Sequence, residues 1–134
     1  MMKLECFKKN QDKMYLAFRV LVGGMFFMHG AQKMLGWFGG PGGVQLATTM
    51  GLAGVVELVG GLAILLGFFS RLAALGGSLV MLGALFTVHF PMGWNPLLNK
   101  GEAALLNFAA FLVIMALGNG KWNLEKSVLK KEIF

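Results

Sequence analysis

VVELVGGLAILLGFFSRLAALGGSLVMLGALFTVHF, residues 55–90, decides how this chain is built. Glu57 and Arg71 are its only charged side chains, and it is nearly twice the ~20 apolar residues that a bilayer-crossing helix needs. The break falls at Phe69-Ser70-Arg71, which is short enough for a tight turn and nothing more. Two antiparallel apolar helices joined as a hairpin are therefore predicted. Working outward, two further apolar stretches flank the hairpin. The predicted spans cover residues 14–34, 48–69, 72–90 and 102–117, the last being the shortest. The fold class that follows is all-α, a four-helix transmembrane bundle making one domain of residues 1–134.

Composition agrees. The 134 residues are 57% hydrophobic and 13% charged, with a mean hydropathy of +0.70. Average soluble usage is roughly 45–50% apolar with glycine included and about 25% charged. A small soluble domain needs polar residues to cover its surface, whereas a lipid-facing surface does not. One cysteine, Cys6, excludes a disulfide scaffold or a CxxC redox pair. The glycine pairs Gly23-Gly24, Gly60-Gly61 and Gly76-Gly77 read as points where membrane helices approach closely.

Most of the net charge of +6 belongs to the tails, where residues 3–13 and residues 121–132 each carry four lysines against two acids. Lys3, Lys8, Lys9 and Lys13 precede the first span, and Lys121, Lys126, Lys130 and Lys131 follow the last. With Arg71 they lie on one side, against Lys33 and Lys100 on the other, so the positive-inside rule puts both termini in the cytoplasm. No basic stripe interleaved with aromatics exists, which argues against nucleic acid. HGAQKM follows the first apolar run in place of a small-residue cleavage site, so that span is expected to stay as a helix of a multi-pass cell-membrane protein. The loops GWFGGPGGVQ (36–45) and PMGWNPLLNKG (91–101) put Trp37, Phe38 and Trp94 at an interfacial aromatic belt. The first lacks the GK[ST] ending of a phosphate loop.

Ionisable groups inside a membrane are costly and mark protein interiors or wet cavities. This chain places Arg19, His29 and Lys33 in the first span, Glu57 in the second, His89 in the third, and Glu102 with Asn107 in the fourth. Given the orientation, most of them converge on the outer half of the bundle, with Arg19 about 15 Å deeper than His29. On a helical wheel Lys33 is about 40° and His29 about 80° from Arg19, one shared face. Bland roles exist for each. Arg19 would pair with Glu57, Glu102 would complement its own helix dipole, and Asn107 would make an interhelical hydrogen bond. The two histidines, at matching depth on different helices, would ligate haem, hold a metal with a carboxylate or hydrogen-bond a carbonyl compound. Haem has no support beyond the pair, and metal lacks an HxxH or ExxH spacing. A polar pocket for a neutral, membrane-borne oxygen compound uses all the groups.

The ordered set Arg19, His29-Gly30, Lys33, then Glu57, Gly60-Gly61, Gly67 and Arg71, then His89 and Gly101-Glu102, resembles the DoxX family over nearly the whole chain. GNGKWNLEK (118–126) is similar to that family's GPGxxSLD ending, departing at Asn119, Asn123 and Glu125. The resemblance implies a four-helix membrane protein linked to quinone and oxidative-stress chemistry, as in the small subunit of thiosulfate:quinone oxidoreductase. The leading expectation is thus an oxidoreductase subunit that binds quinone through Arg19, His29, Lys33, Glu57, His89 and Glu102. No flavin fingerprint or cysteine cluster is present, so electrons would come from a partner protein. The alternatives are a non-catalytic membrane anchor or assembly factor, or an exporter of a toxic phenol or quinone.

Overall fold

The computed structural model describes residues 2–133, and no strand occurs among them. The helices are α1 (Met2–Lys9), α2 (Gln11–Leu35), α3 (Thr49–Leu66), α4 (Ser70–Ala84), α5 (Glu102–Leu117) and α6 (Leu124–Leu129). α4 runs on through one π-helical turn, Leu85–His89, and a 3-10 turn, Phe90–Met92. The charged N-terminal tail is itself helical as α1, and Asn10 interrupts it from α2, its side-chain amide donating to the Cys6 carbonyl at 2.8 Å.

Three segments are long and apolar enough to cross a bilayer: Gln11–Leu35, Thr49–Leu66 and Ser70–Met92. α5 is equally apolar but has 16 residues, short of the ~20 of a full crossing. Buried positions make up just 28%, 33% and 28% of the most apolar windows of the three long segments. Leu21, Leu52, Leu79 and Leu106 point outward, each more than 60% exposed. An apolar exterior of this kind suits a lipid solvent and would aggregate in water.

The hairpin forms as its sequence predicts, but its turn sits earlier. α3 ends at Leu66, not at residue 69, because Gly67 takes a left-handed φ of 71° and its N–H closes on the carbonyls of Ala63 and Ile64. Such a cap is the usual helix terminator, and hydropathy does not register it. Phe69, at φ 51°, then turns the chain into α4.

α2 packs along α3, α3 along α4, and α4 along α5. The α2–α3 seam is the tightest. A Cβ on Gly30 would fall 2.2 Å from the Leu58 nitrogen, and one on Gly61 2.2 Å from the Phe27 nitrogen. Only hydrogen fits at either place, so backbones touch there, as small residues allow between membrane helices. The core joins all four long helices through Phe26, Ile64, Ala74, Met81, Leu85, Phe111 and Ile114. Phe26 of α2 meets Phe111 of α5 edge-to-face, with ring centroids 4.7 Å apart, a geometry favoured by the ring quadrupoles.

The first loop folds back on α2. Gly42, Gly43 and Val44 donate their N–H groups to the carbonyls of Gln32, Met34 and Lys33, satisfying the open end of the helix. Trp37 and Phe38 stay half exposed beside it, and Trp94 in the third loop is 82% exposed. Thr48 then caps α3, its hydroxyl accepting from the Gly51 N–H at 3.0 Å.

Candidate functional site

At the end of the helices away from the α3–α4 turn lies a cavity of about 150 Å³. α2 contributes Phe26 and His29, and α3 contributes Glu57. α4 and its π turn add Met81, Ala84 and His89, and α5 adds Ala103, Ala104 and Asn107. The walls are mostly apolar, with four polar side chains converging from four helices.

Each polar group is held differently. The Glu57 side chain is only 4% exposed, and the Lys33 ammonium sits 2.6 Å from both its oxygens. A buried carboxylate needs such a partner. Lys33 reaches Glu57 because both lie near the α2–α3 seam, where Gly30 lets the helices touch. His89 ends the π turn, a local widening that re-aims a side chain and recurs at functional sites. Its Nδ1 lies 3.0 Å from the Asn99 carbonyl oxygen. Asn99 is fully buried in the third loop, where its side-chain amide donates to the Gly93 carbonyl at 2.6 Å and its Oδ1 accepts from the Gly101 N–H at 2.8 Å. Gly101 is crowded against this pair, since a Cβ there would meet Asn99 Oδ1 at 2.8 Å and His89 Cβ at 3.0 Å. His29 stands exposed on α2 and lines the cavity without a hydrogen bond to any described residue.

Of the six side chains expected to act together, His29, Glu57 and His89 line this cavity and Lys33 joins through its ion pair. Arg19 and Glu102 do not line it. Glu102 is exposed at the start of α5 and makes no capping hydrogen bond. Asn107 bonds within its own helix, to the Ala103 carbonyl at 2.9 Å, and not across to a neighbour. The expected Arg19–Glu57 pairing is replaced altogether. Lys33 takes the carboxylate, and Arg19 points to the other end of the molecule.

There Arg19, 3% exposed, donates to the backbone carbonyls of Asn119, Trp122 (2.9 Å) and Leu65 (3.5 Å). Leu65 lies in the last turn of α3, so the cation also meets the negative end of a helix dipole. Around it the segment after α5 is tied in place. Tyr15 donates to the Gly118 carbonyl, Asn119 Oδ1 accepts from the Ser70 N–H at 3.1 Å, and Asn119 donates to Glu125. Glu125, fully buried, accepts from the Phe69 N–H at 3.0 Å and so caps α4 from outside its own sequence neighbourhood. Asn123 caps α6 by accepting from the Lys126 N–H at 2.8 Å. None of these contacts follows from the basic charge of the residues after the last span. The one legible signal is Asn123 directly before Leu-Glu, a helix-start pattern.

Lipid-facing helices, tight glycine seams and a polar cavity among them define a multi-pass integral membrane protein. The DoxX family model matches residues 14–90. An uncharacterized protein of Haemophilus influenzae (strain ATCC 51907 / DSM 11121 / KW20 / Rd) is 38% identical over 125 residues, covering 87% of this chain and 92% of that protein. Inner membrane protein YqjF of Escherichia coli (strain K12) is 30% identical over 133 residues, covering 92% and 98% respectively. No solved structure matches the chain. The chain belongs to the DoxX family and is a multi-pass protein of the cell inner membrane. Against the family ending GPGxxSLD, Asn123 stands where serine is usual and still caps a helix, and Glu125 keeps the carboxylate of aspartate.

Proposed function

We propose that the cavity between α2, α3, α4 and α5 binds the ring of a quinone-like compound that enters from the lipid, and that the chain serves as the membrane subunit of a quinone-linked oxidoreductase or oxidative-stress system. The observation that carries this reading is the convergence of His29, Glu57, His89 and Asn107 on one small, otherwise apolar space. An apolar pocket with a few fixed polar groups is the common form of a small-molecule site. Its volume of about 150 Å³ is similar to that of engineered cavities of ~150 Å³ that take up benzene. A single quinone ring fits that scale, with any isoprenoid tail left among the lipids. A bound quinone would supply two-electron, two-proton redox chemistry, and a partner protein would supply the electrons. Lys33 holds Glu57, and Asn99 holds His89, as fixed hydrogen-bonding groups around the ring.

This reading includes four spans, α5 being the short one, and both termini in the cytoplasm, as the basic tails favour. Cys6 is exposed and is the chain's one cysteine. It should react with a membrane-impermeant maleimide in inverted membrane vesicles and not in intact spheroplasts.

The binding test uses purified protein and 2,6-dimethyl-1,4-benzoquinone with its hydroquinone. Saturable binding of either form, weakened about tenfold or more by His89→Ala or Glu57→Ala in protein that keeps its helix content, is expected. If neither form binds, the quinone site is refuted and the anchor or assembly role takes its place.

A further inference from the structure

The hydrogen bonds that fix the cavity's polar groups also determine which of them can still donate. A backbone carbonyl only accepts, so the contact between His89 Nδ1 and the Asn99 oxygen at 3.0 Å requires the proton on Nδ1. A neutral imidazole has one N–H, so Nε2 of this ring is left as a bare acceptor. Glu57, ionised against Lys33, is acceptor-only. Asn107 spends one amide N–H on the Ala103 carbonyl and keeps its second N–H and Oδ1 open, so it can meet either a donor or an acceptor. Two of the four polar side chains around the cavity, His89 and Glu57, thus present acceptors alone and are fixed as such by their partners. His29, without a bond among the described residues, can turn either nitrogen inward and does not discriminate.

A quinone carries two carbonyl oxygens and no polar hydrogen. Beside Nε2 of His89 or the Glu57 carboxylate its lone pairs would face lone pairs. A hydroquinone or phenol carries O–H groups that donate to both. Resting on the site reading above, we infer that the cavity is built for the hydroxyl-bearing, reduced form of its ligand in preference to the quinone. An acceptor-rich site also suits a cation, but Lys33 already neutralises Glu57, and the remaining walls are Phe26, Met81 and three alanines. Those surfaces favour a neutral ring. Asn99 acts as a positioning residue through its carbonyl, and His89 is the group that reads the ligand's redox state.

The experiment compares equilibrium affinities for 2,6-dimethyl-1,4-benzoquinone and its hydroquinone, the latter kept reduced under argon. A Cys6→Ser background removes the one thiol the quinone would alkylate. The hydroquinone is expected to bind at least about tenfold tighter, the effect of one buried acceptor left unmet. His89→Gln, whose amide can donate as well as accept, should bring the ratio near one while binding persists. Independently, 15N spectra of histidine-labelled protein should show one of the two imidazoles protonated on Nδ1, its signals absent in H89Q. Equal or tighter quinone binding, an unchanged ratio in H89Q, or an Nε2-protonated His89 would each overturn the inference and leave the site standing. Binding of neither form would instead overturn the site. The wild-type ratio and spectrum decide the matter even if H89Q does not fold.

Discussion

Removing the Lys33 ammonium should harm this protein far more than removing the Glu57 charge. In Lys33→Met the Glu57 carboxylate, whose side chain is 4% exposed, loses a partner 2.6 Å from both its oxygens. Breaking a buried pair from one side typically costs about 3–5 kcal/mol. Uptake of a proton by the stranded carboxylate limits the loss, so the lower end, about 3 kcal/mol, is expected. In Glu57→Gln the ammonium remains, but its side chain is 26% exposed and can swing toward water. The amide still accepts one hydrogen bond, and the cost should be about 1 kcal/mol. The double variant Lys33→Met/Glu57→Gln strands no charge and should fall well short of the sum of the singles, the mark of direct coupling. Thermal unfolding in detergent, followed by the chain's three tryptophans, reads these differences. For a chain of this size ~3 kcal/mol corresponds to a fall of roughly 10 °C in Tm. Equal, small shifts in both single variants, with strict additivity in the double, would refute the argument.

At the α2–α3 seam, Gly30→Ala and Gly61→Ala each force a methyl group into opposing backbone, and each should lower stability by about 2 kcal/mol or more. Gly83→Ala, on α4 with nothing within 4 Å of the added carbon, should be neutral or stabilise by up to ~1 kcal/mol in the same melt. Arg19→Met removes the charged donors that hold the carbonyls of Asn119 and Trp122. Trypsin should then cut after Lys121 at least about tenfold faster, since losing even one charge-assisted bond of ~1.5–3 kcal/mol shifts a local opening equilibrium that far. Asn99→Ala orphans the Gly93 carbonyl and the Gly101 N–H. It should cost about 2 kcal/mol and weaken hydroquinone binding several-fold, measured on the same preparations.

The apolar framework was legible because hydropathy and helix length are local properties. Hydropathy predicts the fourth apolar segment over 102–117, the bounds α5 takes, and a hairpin break at Phe69-Ser70-Arg71 that overlaps the observed turn at 67–69 only at Phe69. What escaped was pairing. Wheel geometry puts Arg19, His29 and Lys33 on one face of α2, yet it carries no information on which neighbour each one meets. Lys33 won Glu57 through the close α2–α3 approach at Gly30, and that register is a property of two helices together. The π turn that carries His89 has no sequence signature. Asn99 passed as a loop residue because its role runs through a main-chain oxygen. Glu125, beyond the last apolar segment, is buried because its carboxylate does for α4 what Phe69, the local N-cap, has no side-chain oxygen to do.

The Arg19 anchor imposes an order on the making of this protein. A ribosome delivers the arginine about 100 residues before its carbonyl partner at 119, and the one at 122 follows just after. Until then the guanidinium belongs to a helix ready to enter the bilayer with no acceptor waiting for it beyond the Leu65 carbonyl. Nascent α2 has reason to linger at the membrane surface or in the insertion machinery, where water can solvate the charge. Any chain broken off before residue 119 stays in that unfinished condition, its arginine without the carbonyls of Asn119 and Trp122.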